Sequence, residues 1–181
     1  MNLPNALTII RIILVPVFMI VLLVKIPYGQ LFAAAIFIIA ASTDGLDGYI
    51  ARKRKQITNF GKIMDPLADK LLVSAALISL VQLGKIAGWV AVIIIGREFA
   101  VTGLRSVAAA EGIVISASKL GKYKTVFQII AIVAILVNEL IISLIGLPLG
   151  QYFLYIAVFF TIYSGLDYFF KAGKLLKVGL K

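Results

Sequence analysis

Long apolar runs separated by short polar or basic stretches dominate the pattern of this 181-residue chain. A hydrocarbon core of about 30 Å takes about 20 apolar residues to cross as a helix, and lipid offers no partner to an open backbone, so each such run predicts a helix. Six runs meet that length: residues 5–27, 31–52, 62–83, 86–109, 124–146 and 150–171. The expectation is an all-α membrane protein, a bundle of six transmembrane helices forming one integral membrane domain over 1–181, with no length left for a soluble domain. The first run starts at residue 5, carries Arg11 and lacks a small-residue cleavage site, so it reads as a retained helix rather than a signal peptide.

Composition sharpens this picture. With 62% hydrophobic residues, 14% charged residues and a mean hydropathy of +1.08, a soluble globule is excluded. Cysteine and histidine are both absent, which removes disulfides, a thiolate nucleophile, zinc–thiolate sites and an imidazole base, and leaves acid–base chemistry to a carboxylate. Lys and Arg number 18 against 8 Asp and Glu, a formal charge of +10. In a membrane protein such an excess points to cytoplasmic loops and anionic head groups rather than nucleic acid.

The basic residues also predict the orientation. Arg52, Lys53, Arg54, Lys55 and Lys62 fall on the same side as Lys119, Lys122 and Lys124 and as the tail Lys171, Lys174, Lys177 and Lys181. That side is expected to be the cytoplasm, with both termini inside. The opposite turns, near residues 27–30, 84–85 and 146–150, hold one lysine between them, with Lys25 close by. Tyr28, Trp89, Tyr123 and Tyr152 stand near span ends, where interfacial aromatics gather.

Four aspartates break the apolar pattern. Asp44 and Asp47 lie three apart at the end of the second run, and Asp65 and Asp69 lie four apart at the start of the third, so each pair shares a helix face. The short connection over 53–61 predicts an antiparallel hairpin that brings both pairs to a similar depth near the cytoplasmic surface. Each charge inside the bilayer costs about 2.5 to 3.5 kcal/mol, so four together cost on the order of 10 kcal/mol before mutual repulsion. Something cationic must compensate. One possibility is an ion-paired hairpin with Arg52 and Lys70. The other is divalent metal, since hard oxygen donors without His or Cys suit Mg²⁺, Mn²⁺ or Ca²⁺. Two ions about 3.5 to 4 Å apart serve displacement at phosphorus. Gly45, Gly48 and Gly61 remove bulk beside the acids, and Arg52 offers a fork for phosphate oxygens.

Read from Asp44 to Asp69, the residues are D-G-L-D-G-Y-I-A-R, eight residues, then G-K-I-M-D-P-L-A-D. This resembles the signature of the CDP-alcohol phosphatidyltransferases, with every fixed position filled, and the six-span pattern resembles that family's architecture. The resemblance implies two divalent cations, Mg²⁺ or Mn²⁺, with Asp44 and Asp65 shared between them, Asp47 a further ligand of the first and Asp69 of the second. It implies that Asp69 is also the base that takes a proton from the alcohol. Gly48, Arg52 and Thr58 match positions that contact the CDP-lipid, and Pro4 and Asn5 resemble another nucleotide-contacting stretch. A homodimer in the bacterial cell membrane, surrounded by membrane lipids and with its active site facing the cytoplasm, is implied as well.

The fourth run reads I-G-R-E-F-A-V-T-G-L-R and the next basic stretch K-L-G-K-Y-K-T-V-F-Q. Both resemble the branch that transfers the phosphatidyl group of CDP-diacylglycerol to sn-glycerol 3-phosphate. Arg97 and Arg105 lie on nearby faces of one helix and Lys122 opens the next on the same side, so the three form a candidate pocket for the acceptor's phosphate. Alternatively Arg97 pairs with Glu98, and Lys119, Lys122 and Lys124 serve only orientation. Glu111 and Glu139 have no assigned role, and Asp167 is expected to find a lysine in the tail. Two other functions stay open: a sibling transferase with another acceptor, of cardiolipin or inositol-phosphate type, and a divalent-cation transporter. Against transport, all four aspartates sit near one surface, with no inverted repeat around a midplane site.

Overall fold

Seven α-helices run through the described residues: α1 (Leu3–Leu23), α2 (Gly29–Lys53), α3 (Asn59–Gln82), α4 (Gly88–Ala110), α5 (Lys119–Leu136), α6 (Asn138–Ile145) and α7 (Leu149–Gly179). The structure, a computed structural model, describes the backbone of residues 3–24, 26–53, 59–112 and 119–179 and the side chains of residues 5–24, 26–43, 61, 64–112, 120–170 and 173. The helices fall on the predicted runs, with two departures: α7 continues past residue 171 to Gly179, and one predicted span is broken.

The single span predicted over 124–146 is divided, because α5 and α6 meet at 77°. Neither proline nor glycine stands at the break. Instead the polar pair Asn138 and Glu139 follows Val137, and Glu139 turns toward Lys85, whose Nζ lies 3.7 Å from its Oε1. Lys85 donates to Gln30 Oε1 at 2.7 Å, and Gln30 Nε2 donates to Glu139 at 3.4 Å. Such a cluster belongs at the boundary of water and lipid, where its charges keep their hydration. Leu140, Ile142, Leu144 and Ile145 of α6 are all exposed, as in a short helix lying along that boundary. Gly146, at φ 75° in the left-handed region, ends it.

By length and composition, Asn5–Leu23 in α1 and Leu149–Phe170 in α7 can cross a membrane, and the bent α5–α6 pair makes a third candidate among the described residues. The six spans are therefore not all recognisable from the helices. For two of them the reason is the charge they carry: α3 holds Asp65, Asp69 and Lys70, and α4 holds Arg97, Glu98 and Arg105; in α2 the described side chains end at Thr43, and Gly29–Thr43 is an apolar stretch.

Lipid tails are as apolar as leucine, so helices in a membrane associate through close packing rather than through escape from water. Small residues make that possible here. Ala33, Ala40, Ala76, Ala131 and Ala157 are inaccessible or nearly so, alongside Phe18, Phe37, Leu72, Leu80 and Ile132. Gly150, at the start of α7, lies so close to α5 that a Cβ there would come within 3.0 Å of the Ile135 backbone. Gln128 of α5 donates to Thr161 of α7 at 3.1 Å within this interface. The result is that α1 packs on both α2 and α3, α5 packs on α7, and α4 packs on α7 and α3. Among the described residues the backbones of α4 and α5 stay apart, and a cavity opens between them.

Candidate active site

This cavity, of about 550 Å³, is bounded by α3, α4, α5 and α7. From α3 come Asp65, Asp69 and Lys70, from α4 Arg97, Glu98 and Arg105, and from α5 Lys122 and Lys124. Helical spacing explains the convergence. Asp65 and Asp69 are one turn apart, and Arg97, Val101 and Arg105 follow at intervals of four along one stripe. Two of the four predicted metal ligands and all three residues predicted to hold the acceptor's phosphate therefore line one space.

The acidic side is half-buried. Asp65 and Asp69 are both partly shielded, and the hydroxyl of Thr8, from α1, donates to Asp65 Oδ1 at 2.5 Å. Lys70 folds back along its helix to donate to the Pro66 carbonyl at 3.0 Å. Asp44, Asp47, Gly48 and Arg52 belong to α2, and their side chains lie outside the described residues, as do that of Pro4 and the whole of Thr58. Asn5 is half-buried in the first turns of α1.

The basic side is built around a buried network that the linear sequence shows only in part. Glu98 accepts from Arg97 Nη1 at 3.3 Å and forms an ion pair with Lys124, whose side chain is 3% exposed. Lys124 is thus a wall of the cavity and not merely an orientation charge. Arg97 rests against α7: Nη2 donates to Ser164 Oγ at 3.1 Å, and the guanidinium carbon lies 5.4 Å from the centre of the Tyr168 ring. Gly165 permits this approach, since a Cβ there would stand 3.2 Å from Arg97 Cγ. The pairing of Arg97 with Glu98, raised as the alternative, is present, and Arg97 still lines the cavity. Arg105 and Lys122 are exposed at its mouth. Asp167 is half-buried in α7, while the side chains of the tail lysines lie outside the described residues.

Hard oxygen donors at i and i+4, with no imidazole or thiolate anywhere in the chain, suit a hard divalent cation. Among the described residues no three carboxylates gather closely enough to hold one alone. Asp65 and Asp69 supply two donors, and α2 carries the other two expected ligands. Counting back from the end of α2 and forward from the start of α3 at 1.5 Å per residue, Asp47 and Asp65 both stand about 9 Å from the connection. Asp44 and Asp69 stand about 13 to 15 Å from it. A second cavity, of about 830 Å³ near Tyr28 and Glu139, is lined mostly by apolar side chains and has no comparable set of charges.

Residues 1–163 match the family model described as CDP-alcohol phosphatidyltransferase. The chain is 50% identical to the CDP-diacylglycerol--glycerol-3-phosphate 3-phosphatidyltransferase of Bacillus subtilis, with 97% of each chain covered. It is 40% identical to the protein of the same name from Rickettsia bellii, with 93% of each covered. It is 39% identical to the probable phosphatidylglycerophosphate synthase of Mycobacterium tuberculosis, over 94% of this chain and 81% of that one. The protein belongs to the CDP-alcohol phosphatidyltransferase family, as its aspartate signature led one to expect. It is a membrane transferase of phospholipid synthesis, and its family generally works with divalent cations.

Proposed function

We propose that the cavity between α3, α4 and α5 is where this protein transfers the phosphatidyl group of CDP-diacylglycerol to sn-glycerol 3-phosphate, giving phosphatidylglycerophosphate and CMP. The supporting observation is the meeting of Asp65 and Asp69 with Arg97, Arg105 and Lys122 around one space. An alcohol that itself carries a phosphate needs such a cluster, whereas a neutral alcohol does not. The names of relatives that span nearly the whole chain agree with this substrate pair.

In this mechanism Arg97, Arg105 and Lys122 bind the acceptor's phosphate, with Arg97 held in place by Glu98, Ser164 and Tyr168. That fixes the acceptor's 1-hydroxyl toward α3, where Asp69 accepts its proton. The hydroxyl oxygen bonds to the phosphorus that carries the diacylglycerol, the bond from that phosphorus to the CMP oxygen breaks, and CMP leaves. Gly48, Arg52, Thr58, Pro4 and Asn5 hold the nucleotide and diphosphate. Asp44, Asp47, Asp65 and Asp69 hold two divalent cations, Mg²⁺ or Mn²⁺, which when bound neutralise the diphosphate and the charge on departing CMP. No covalent enzyme intermediate is formed, consistent with the lack of Cys and His.

The whole chain forms one catalytic domain of six spans, the fifth made by α5, with α6 lying at its end along the boundary. The active site faces the cytoplasm of a bacterial cell membrane, and the protein works as a homodimer. The lipid donor then enters from the bilayer, and the polar acceptor and CMP exchange with the cytosol. The test is metal-dependent CMP release by purified protein across a panel of alcohols. Release with glycerol 3-phosphate, lost on chelation and restored by Mg²⁺ or Mn²⁺, is expected. Release with phosphatidylglycerol or inositol phosphate in its place would contradict the acceptor assignment.

A further inference from the structure

We infer that Thr8 and Arg11 of α1 are positioning residues, a clasp that holds the two acid-bearing helices in register and so sets how tightly the four aspartates bind divalent cations. Both side chains are completely buried in a helix that is otherwise apolar beyond Asn5. Burying a hydroxyl and a guanidinium there is costly unless their hydrogen bonds are met. At a spacing of three they share a helix face, yet they reach two different helices.

Thr8 donates to Asp65 Oδ1, on α3. Arg11 Nε donates to both the Ala40 carbonyl and the Thr43 hydroxyl of α2, each at 3.2 Å, and Thr43 itself donates to Ala40 O at 2.7 Å. Thr43 immediately precedes Asp44. One helix therefore touches a carboxylate on α3 and, on α2, the residue that precedes Asp44 in the sequence. Because α2 and α3 both pack on α1, the two contacts fix the rotation and height of each helix. A hydroxyl that donates to a carboxylate also leaves that carboxylate fewer orientations, and removing such a partner from a ligand typically weakens metal binding about 10- to 100-fold.

The inference rests on the assignment of the aspartates as metal ligands, and the test separates the two. Mn²⁺ is titrated into the purified full-length protein and free Mn²⁺ is read by electron paramagnetic resonance, without substrate. Thr8→Val, which keeps the volume and loses the donor, is expected to weaken Mn²⁺ binding about tenfold or more, and Thr8→Ser to restore it. In an Asp65→Asn background Thr8→Val is expected to have almost no further effect. Arg11→Lys, which keeps the charge and loses the fork, is expected to weaken Mn²⁺ binding as well, and stands as the second variant should Thr8→Val not accumulate. Wild-type affinity in both Thr8→Val and Arg11→Lys overturns the clasp, and so does a Thr8→Val loss that is undiminished in the Asp65→Asn background. No Mn²⁺ binding by the wild type, or full binding by Asp65→Asn, overturns the ligand assignment itself.

Discussion

Glu98, half-buried on α4, and Lys124, buried on α5, form an ion pair across two helices whose backbones stay apart among the described residues. Glu98 also holds Arg97, so one carboxylate ties down two of the cations that line the cavity. Removing one member of a buried pair strands the other charge, at a cost of about 3 to 5 kcal/mol, while removing both is far milder. Glu98→Gln and Lys124→Met are each expected to lower the thermal unfolding midpoint in detergent by several degrees. The double variant is expected to fall by clearly less than the sum. Additive losses would show that the pair contributes no coupling.

The seat of Arg97 gives a kinetic prediction. In Gly165→Ala the new methyl would press on Arg97 Cγ and tilt the guanidinium, so the KM for glycerol 3-phosphate should rise several-fold with that for CDP-diacylglycerol unchanged. Arg105→Ala removes a charged donor outright and should raise the same constant about 10- to 100-fold, in line with about 1.5 to 3 kcal/mol for a hydrogen bond to a charged group. A rise confined to the CDP-lipid would contradict the acceptor pocket for either residue.

Asp69→Asn keeps the shape of the side chain and abolishes its basicity. Turnover should fall at least about 100-fold, while binding of CDP-diacylglycerol, read by equilibrium dialysis of the radiolabelled lipid, should stay substantial. Near-normal turnover would remove Asp69 from the base role.

Topology can be tested directly because the chain has no cysteine of its own. Single cysteines at Gln30 and Lys85 are expected to react with a membrane-impermeant maleimide added outside intact cells, and one at Lys122 only after the membrane is opened. Labelling of Lys122 from outside would reverse the proposed orientation.

The helices and half of the site were legible in the sequence because both follow helical periodicity. Asp65 with Asp69, and Arg97 with Arg105, are placed by spacing within single helices, and the basic stretch puts Lys122 on the same side. What could not be read was tertiary. Thr8 meets Asp65 from 57 positions away, and Lys124 meets Glu98 from 26 away. A lysine among other lysines looks like an orientation charge until its burial is seen. Signals were present even so: Thr8 and Arg11 are polar residues one turn apart in an apolar run, and Ser164, Gly165 and Tyr168 form a small-and-polar stripe in another. The break at Val137 escaped for a different reason, since no proline or glycine marks it, and the polar contact of Glu139 with Lys85 beside it joins distant parts of the chain.

Counting the cations in the aspartate cage is the most direct measurement. Electron paramagnetic resonance of Mn²⁺-loaded protein should show two bound ions per chain, spin-coupled at a separation of about 3.5 to 4 Å, with the coupling lost in both Asp44→Asn and Asp65→Asn. Bound Mn²⁺ that is single and uncoupled, or unaffected by those two substitutions, would mean that the aspartates serve some other purpose.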